Sequence, residues 1–363
     1  MNAASHDTDA PFMRRALDLA RQGWGQVAPN PMVGAVLVQD GRIVGEGAHE
    51  RFGGLHAEVN ALAAAGPAAR GATLYVTLEP CAHHGKTPPC VDAIRAAGVA
   101  RVVVAMRDPN PEAAGGLAAL AAAGIETSIG TLEADARELN AAFLHGWHSE
   151  RPWVTLKLAI TLDGAIADGT RTTSRVTGPQ ARRYAHHLRA GHDAVAVGMN
   201  TVRIDDPLLT VREAPAPRVA PARVIFSRTG RLSLTSTLAN SLKQGPVIVL
   251  AEQVDAEYES ALRSHGVEVV LAPDLASGMR QLRAMGMRSV LVEGGTGIAA
   301  SLWEAGLVDR LVLVQAPIVF GRGALNAFAA MPAVRAEAAH RLRVVSREPL
   351  GDDIATTYAV RES

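Results

Sequence analysis

The chain has 363 residues, with 36 basic and 36 acidic side chains and two cysteines. This length predicts two domains. The balanced charge offers no basic surface for nucleic acid, so we do not expect a nucleic-acid partner. The apolar stretches are far shorter than the roughly 20 residues that cross a bilayer, and the polar N-terminus has no signal-peptide core. We therefore expect a soluble cytoplasmic protein whose cysteines stay reduced.

Hydrophobic periodicity and turn residues divide the first half into alternating helices and strands. After a loosely ordered segment at residues 1–10, helices are predicted at 12–22, 56–65, 89–97 and 112–123. Strands are predicted at 33–38, 43–45, 72–78, 99–106 and 125–129. This order predicts a three-layer α/β domain with a mixed sheet.

One histidine and both cysteines lie in a pattern typical of a catalytic zinc site. Glu58 follows His56 by two residues, and two Pro-Cys pairs place Cys81 and Cys90 downstream. Imidazole and thiolate are preferred zinc ligands, and three of them leave the fourth tetrahedral position for water. Zinc makes hydroxide available from that water, and Glu58 would carry the proton to the leaving amine. The pattern is the signature of zinc nucleobase deaminases, although here eight residues separate the cysteines instead of the usual two.

Two other interpretations of these residues stay open at this point. His83 or His84 could complete a closed, structural zinc site. Alternatively, both cysteines could be inert side chains in a core. A structural site has no use for the carboxylate of Glu58, which favours the catalytic interpretation.

The second half begins a new alternating series. Residues 145–152, His-Gly-Trp-His-Ser-Glu-Arg-Pro, break the pattern and form the predicted linker. Strands are predicted at 153–160, 194–198, 223–227, 247–251, 268–271, 289–293 and 311–318, with helices between them, for example at 179–190 and 296–305. Two final strands, around 342–347 and 354–360, are expected to form an antiparallel pair on an otherwise parallel sheet.

Weaker signals mark candidate site residues in this half. The turn Glu293-Gly294-Gly295-Thr296-Gly297 follows a strand and opens a helix, where backbone amides can approach a phosphate; a tight turn explains it equally. Arg189 and Arg212 could each hold a phosphate, or be surface residues. Lys157 lies in a predicted strand, where a charge needs a reason, so it is a candidate acid or hydrogen-bond donor.

Nearly the whole chain resembles one enzyme family. In the first half the resemblance rests on residues 29–35, 56–58, 77–90 and 108–111, which include Thr77-Leu78-Glu79-Pro80-Cys81. In the second half it rests on residues 156–164, 201–212 and 293–295. These motifs are similar to those of the bifunctional riboflavin-biosynthesis deaminase–reductases. The resemblance implies an N-terminal three-layer cytidine-deaminase-like domain, residues 1–148, and a C-terminal dihydrofolate-reductase-like α/β domain, residues 149–363.

The resemblance also implies two successive reactions. The first domain would be a zinc-dependent deaminase of the diaminopyrimidinone ribosylamine 5′-phosphate made early in riboflavin synthesis. The second would be a reductase that uses NADPH to convert the ribosyl group into the ribityl chain. The implied cofactors are Zn²⁺ and NADPH, the implied partner is a phosphorylated pyrimidine, and family members form homo-oligomers. The sequence does not decide between NADPH and NADH or whether the intermediate is channelled.

The family's site residues carry over to matching positions of this chain. By resemblance, zinc would be bound by His56, Cys81 and Cys90, and Glu58 would shuttle protons. The deaminase substrate would be contacted by Asn30, His49, His83, Lys86, Asp108 and Asn110. The reductase substrate would be contacted by Thr173, Arg189, Leu209, Arg212 and Glu293. NADPH would be contacted by Ala159, Arg175, Thr201, Asp205, Gly295, Thr296, Gly297, Ile298, Ala299, Ala300 and Ser301.

Some of these assignments have alternatives. Lys157 and Asp205 are the candidates to assist proton transfer in the reductase, but Asp205 could equally cap a turn. His49 and His83 could be ordinary core or surface histidines.

Two departures from the family pattern bear on activity. Arg175 stands where the family often has a tryptophan, although an arginine could stack on the cofactor or meet its 2′-phosphate. The loop at 112–116 is one residue short. Two alternative functions are a zinc deaminase of another nucleobase or nucleoside with a non-reductase C-terminal domain, and a non-catalytic, zinc-stabilised binding protein.

Overall fold

A computed structural model describes residues 3–83, 88–170, 175–339 and 341–360. The chain divides into two compact units, of which the first ends at His148 and the second begins at Ser149. Within the part of the chain that the structure describes, none of the helices has the length and apolar character needed to span a bilayer.

The first unit is built on one mixed five-stranded sheet. Its strands are β1 (Gly34–Gln39), β2 (Arg42–Ala48), β3 (Thr73–Leu78), β4 (Arg101–Met106) and β5 (Glu126–Ile129). Its helices are α1 (Ala3–Ala20), α2 (Ala57–Ala65), α3 (Cys90–Ala97), α4 (Gly116–Ala122), α5 (Glu133–Leu139) and α6 (Ala141–His148). The sheet order is β2-β1-β3-β4-β5; β1 runs antiparallel to β2 and β3, while β3, β4 and β5 are parallel. The predicted α/β class with a mixed sheet is confirmed.

Glycines on β2 allow α2 to pack unusually close to the sheet. A Cβ atom at Gly47 would overlap the carbonyl oxygen of Ala57, and one at Gly45 would overlap that of Ala61. Without side chains at these two positions, the helix backbone lies directly on the strand. This contact sets the height of the first turn of α2, immediately after His56.

Some of the predicted element bounds in the first unit were wrong. Residues 3–10 are helical rather than loose, because α1 begins at Ala3. Buried Asp9 anchors that helix: it accepts hydrogen bonds from Arg101 at 2.9 and 2.7 Å and from Tyr75 Oη at 2.8 Å. The predicted helix at 112–123 starts only at Gly116, and residues 145–148 of the predicted linker form the end of α6.

The second unit is built on a nine-stranded sheet. Its strands are β6 (Trp153–Ile160), β7 (Ala165–Ala167), β8 (Ala194–Gly198), β9 (Ala222–Ser227), β10 (Val247–Ala251), β11 (Glu268–Leu271), β12 (Ser289–Glu293), β13 (Arg310–Gln315), β14 (Leu325–Asn326), β15 (Arg343–Leu350) and β16 (Asp353–Ala359). Its helices are α7 (Pro179–Ala190), α8 (Met199–Asp205), α9 (Ala256–Ser264), α10 (Leu275–Ala284) and α11 (Thr296–Glu304). Strands β7 and β14 form a separate pair.

The order of the large sheet is β11-β10-β9-β8-β12-β6-β13-β16-β15. All strands from β11 to β13 in this order are parallel, whereas β16 runs antiparallel to β13 and to β15. The predicted antiparallel pair at the end of a parallel sheet is confirmed. Strands β8, β12 and β6 are neighbours and end at the same edge, which is where α/β sheets bind ligands.

A buried ion pair fixes the start of β6. Arg151 donates to both carboxylate oxygens of Asp309 at 2.6 Å, and the backbone N–H of Val154 donates to the same carboxylate at 2.9 Å. The acidic partner lies 158 residues away in the sequence, so no local pattern identified it.

Candidate active sites

The three predicted zinc ligands converge in the first unit. His56 precedes α2, Cys81 follows β3 and Cys90 is the first residue of α3. His56 Nδ1 lies 3.1 Å from Cys90 Sγ and 3.6 Å from Cys81 Sγ, and the three ligand atoms all lie within 4.8 Å of one another. Tetrahedral zinc with ordinary Zn–N and Zn–S bonds separates such atoms by about 3.6 Å. The residues therefore fit one zinc ion.

The electrostatics of this cluster also suit a cation. Hydrogen bonding from the Cys90 thiol, aided by His56, lowers the pKa of Cys81, while the same hydrogen bond and burial raise the pKa of Cys90. The two thiols are therefore close enough to influence each other's protonation. Zinc requires both thiolates, so its binding releases thiol protons.

Glu58 lies beside this cluster as the second residue of α2. It is buried, and burial raises the pKa of its carboxyl; His56 opposes that rise and Cys81 adds to it. A carboxyl poised in this way can both accept and donate a proton. Among the described residues, no other histidine, cysteine or carboxylate joins these three as a fourth ligand. His83 is exposed outside it, and His84 lies outside the described residues.

Two predicted substrate residues lie on one side of His56. The buried ring of His49 packs edge-on against the His56 ring, with centroids 5.7 Å apart. His49 Nδ1 lies 3.0 Å from the carbonyl oxygen of Leu55, which can only accept, so Nδ1 carries the proton. His49 Nε2 then accepts from Asn30 Nδ2 at 3.1 Å. This orientation leaves the amide oxygen of Asn30 available to a ligand.

Two more lie on the side of Cys81, in the loop after β4. The carboxylate of Asp108 accepts the backbone N–H of Asn110 at 2.8 Å. Burial raises the pKa of Asp108, the charges of Glu79 and Cys81 raise it further, and His83 lowers it. These groups are therefore close to one another. Lys86 lies outside the described residues.

Glu79 has a role that the sequence analysis missed. Its side chain is buried, and Oε1 accepts the backbone N–H groups of Gly115 and Leu117 at 3.2 and 3.1 Å. A Cβ atom at Gly116 would overlap the carbonyl oxygen of Pro80. The shortened loop before α4 is thus fastened to the chain beside Cys81. The signal was available, since a charged residue stands between Leu78 and Pro80 at the end of a buried strand.

The predicted reductase residues converge at the edge where β8, β12 and β6 end. Glu293, the last residue of β12, is in register with Lys157 on β6. Arg189 of α7 donates to both oxygens of Glu293, at 2.6 and 2.8 Å. Burial alone would raise the pKa of Glu293, but Arg189 and Lys157 hold it at about 2. Burial lowers the pKa of Lys157, against the opposing effect of Glu293.

The segment after α8 crosses this edge. Arg189 Nη1 donates to the carbonyl oxygen of Thr210 at 2.9 Å, Leu209 is buried with a φ of 55°, and Arg212 is exposed. Asp205, at the end of α8, is also exposed. Its neighbour Asp206 holds the turn instead, because its carboxylate accepts the N–H and Oγ1 of Thr237.

The predicted cofactor residues are distributed around the start of α11. A Cβ atom at Gly295 would lie 3.9 Å from Thr201 Oγ1, so the two segments adjoin. Gly294 is required, because a side chain there would overlap Ile298. The side chains of Ala299 and Ala300 are buried, and Ser301 donates to the carbonyl oxygen of Gly297 at 3.0 Å. Ala159 lies on β6, Arg175 is exposed, and Thr173 lies outside the described residues.

A three-ligand zinc site with a buried glutamate, on a mixed α/β sheet, defines a zinc-dependent deaminase unit. In the second unit, candidate site residues lie at the edge where parallel strands end, as in other α/β enzymes. Comparisons with known proteins agree. Residues 6–106 match the cytidine and deoxycytidylate deaminase zinc-binding region, and residues 152–356 match the RibD C-terminal domain.

Full-length relatives share both units. The riboflavin biosynthesis protein RibD of Aquifex aeolicus is 41% identical over 97% of this chain and 98% of its own, and that of Escherichia coli is 42% identical over 87% and 89%. The solved diaminohydroxyphosphoribosylaminopyrimidine deaminase/5-amino-6-(5-phosphoribosylamino)uracil reductase of Thermotoga maritima is 38% identical, with a TM-score of 0.85 over 98% of this chain and 99% of that one. The solved structure of Acinetobacter baumannii RibD is 37% identical, with a TM-score of 0.83 over 98% of this chain and 99% of that one.

The chain belongs to the RibD family of bifunctional riboflavin-biosynthesis enzymes. It combines a hydrolase, the zinc deaminase, with an oxidoreductase, the reductase. The predicted family, fold class and enzyme class are confirmed, as are zinc and NADPH as the cofactors of these two activities. The alternative of a deaminase with a non-reductase second domain is not favoured.

Proposed function

We propose that residues 1–148 deaminate the diaminopyrimidinone ribosylamine 5′-phosphate and that residues 149–363 reduce the ribosyl group of the product with NADPH. The observation that carries this proposal is the His56–Cys81–Cys90 cluster with buried Glu58 beside it. The name of the Thermotoga maritima relative, which describes both steps, supports the choice of substrate. The intermediate would then be 5-amino-6-(5-phosphoribosylamino)uracil.

In the deaminase, the net change replaces an exocyclic ring amine with a carbonyl, consumes water and releases ammonia. His56, Cys81 and Cys90 would hold a zinc ion, which would make a nucleophilic hydroxide available near neutral pH. Glu58 accepts the proton lost from water and donates one to the leaving amine, which the raised pKa of its carboxyl favours. Asn30, which His49 fixes, and Asp108 would hold polar groups of the substrate.

In the reductase, NADPH would supply the hydride that reduces C1′ of the ribose when it is bound. The ribose ring must open first, which requires a proton at the ring oxygen. Lys157 is our candidate donor, because burial lowers its pKa and makes its ammonium a stronger acid. Glu293 is in register with Lys157 on the neighbouring strand and is itself held by two hydrogen bonds from Arg189.

The two arginines at this edge have different roles in the proposal. The charge of Arg189 is neutralised by Glu293, so this arginine orients the carboxylate rather than clamping a phosphate. Arg212 is exposed and better placed to bind the substrate phosphate. The start of α11, next to Thr201, offers backbone N–H groups to the phosphates of NADPH. Asp205 stays a predicted cofactor contact and proton-transfer residue.

The remaining expectations are part of the same proposal. A small phosphorylated pyrimidine is the partner, nucleic acid is not, and the chain forms a homo-oligomer. We place the reaction in the cytoplasm, where the reducing environment keeps the zinc thiolates intact.

The direct test is mass spectrometry of the pyrimidine after incubation with zinc-loaded protein, with and without NADPH. We expect amine-to-carbonyl exchange in both samples and addition of H₂ only with NADPH. Protein stripped of zinc by a chelator is the control and should leave the substrate unchanged. Deamination without NADPH-dependent reduction would refute the proposed role of residues 149–363.

A further inference from the structure

Helix α7 holds the segment after Leu209 through two hydrogen bonds. Arg189 Nη1 donates to the carbonyl oxygen of Thr210 at 2.9 Å. The backbone N–H of Arg212 donates to Nδ1 of His186 at 3.2 Å. His186 lies three residues before Arg189, so both side chains project from one face of the helix. Because the two bonds engage alternate residues of the segment, together they fix its position along α7.

The second bond requires a neutral imidazole. An Nδ1 that accepts leaves the single ring proton on Nε2. His186 is only 2% exposed, and the charged groups that face it are Arg189 on α7, Arg212 and Glu213 on the segment, and Glu293 at the end of β12. Burial and the two arginines lower the pKa of His186 more than the two carboxylates raise it. The ring is therefore neutral, and able to accept, at neutral pH.

The position of Arg212 matters because the other arginine at this edge, Arg189, is already hydrogen-bonded within the protein. Arg189 directs Nε and Nη2 at Glu293 and Nη1 at Thr210. Within the described part of the chain, the exposed guanidinium of Arg212 has one hydrogen bond of its own, from Nη1 to Thr210 Oγ1 at 3.2 Å. Its guanidinium can therefore turn toward an anion, while His186 holds its backbone.

We propose that His186 is a positioning residue of the reductase: its neutral imidazole holds Arg212 where the phosphate of the substrate binds. This inference rests on the reductase function proposed above. Neither the motifs of the sequence nor the family resemblance assigned a role to His186. It acts through Arg212 and does not itself touch the reacting atoms.

The test compares His186→Leu with His186→Asn in the full-length, zinc-loaded protein. Calorimetry without NADPH would measure binding of 5-amino-6-(5-phosphoribosylamino)uracil and of its dephosphorylated form. We expect His186→Leu to bind the phosphorylated form about tenfold more weakly, as for loss of one hydrogen bond that orients a charged group, with the dephosphorylated form unaffected. His186→Asn should restore affinity, because the amide oxygen can accept at the position of Nδ1. Turnover should show a raised KM with kcat little changed.

His187→Leu is the matched control, since it makes the same substitution one residue along α7 at an exposed position. It should bind both forms like the wild type. If His186→Leu weakened binding of the phosphorylated and dephosphorylated ligands equally, or weakened neither, the inference would be overturned. The proposed function would still stand as long as the wild-type protein binds the phosphorylated ligand. A wild-type protein that binds neither form would instead overturn the proposed function, and the inference with it.

The dependence on pH gives a second readout. The KM of the wild-type reductase should rise as pH falls below the ordinary range of histidine, because a protonated ring cannot accept from Arg212. The lowered pKa of His186 places this rise on the acid side of the ordinary histidine value. His186→Asn should lack it. The same rise in both proteins would contradict the role of His186.

Discussion

Glu58→Gln separates the proton shuttle from the metal site. The substitution keeps the shape of the side chain, and Glu58 does not belong to the ligand cluster of His56, Cys81 and Cys90. It replaces a buried carboxyl, whose protonated form burial already favours, with a neutral amide. We therefore expect the fold and the zinc content to be preserved.

The expected loss falls on deamination alone. A positioned acid–base group contributes about 10² to 10⁴ in rate, which corresponds to about 3 to 5 kcal/mol of the barrier. The deaminase kcat of Glu58→Gln should fall by that factor. Reduction of supplied 5-amino-6-(5-phosphoribosylamino)uracil should proceed at the wild-type rate, because the reductase residues come from the second unit.

The assay follows ammonia release and NADPH oxidation separately, with zinc content measured by elemental mass spectrometry. Glu133→Gln, at an exposed position of α5, is the matched control and should change neither rate. Deamination within a few-fold of wild type would refute the role of Glu58 as proton shuttle. Loss of zinc would instead make Glu58 part of the metal site, and loss of both activities would show that the two units depend on each other.

Three further substitutions test other contacts. Arg151→Met should lower the free energy of unfolding of the second unit by about 3 kcal/mol, because Asp309 stays buried without its cation. Thermal unfolding measures this change. Arg335→Met, at an exposed ion pair, is the control and should cost under about 1 kcal/mol. Gly47→Ala should push α2 off the sheet and weaken zinc binding in a chelator competition; unchanged affinity would mean that the helix and its ligands move together. Glu293→Gln should leave the partly buried cations Arg189 and Lys157 without a counter-charge. Reductase kcat/KM should fall at least about tenfold in steady-state assays, with deamination as the unaffected control.

The deaminase site was predictable because its chemistry is concentrated in a short stretch. His56, Glu58, Cys81 and Cys90 lie within 35 residues and flank elements with clear periodicity. The metal imposes the spacing of its ligands, so the residue types alone indicate the geometry. The position of Glu79 at the end of a buried strand signalled a role, but not its partners, which are the backbone N–H groups of Gly115 and Leu117 more than 30 residues away.

The reductase site was predictable only as a set of motifs. Lys157, Arg189 and Glu293 were each singled out, but the pairing of Arg189 with Glu293 spans 104 residues, so no local pattern revealed it. The N-terminal helix was missed for the same kind of reason. Asp9 meets Arg101 across 92 residues, and this contact, not local composition, anchors a segment that looked loose.

The sequence by itself determined most of the alternating helices and strands, the antiparallel end of the second sheet and the candidate zinc ligands, because each depends on the spacing of neighbouring residues. The tertiary structure alone decided which charges meet and which polar groups are buried. Those outcomes depend on distances across a folded sheet, and the energy of a charge or a hydrogen bond depends on the burial and the partner that folding provides.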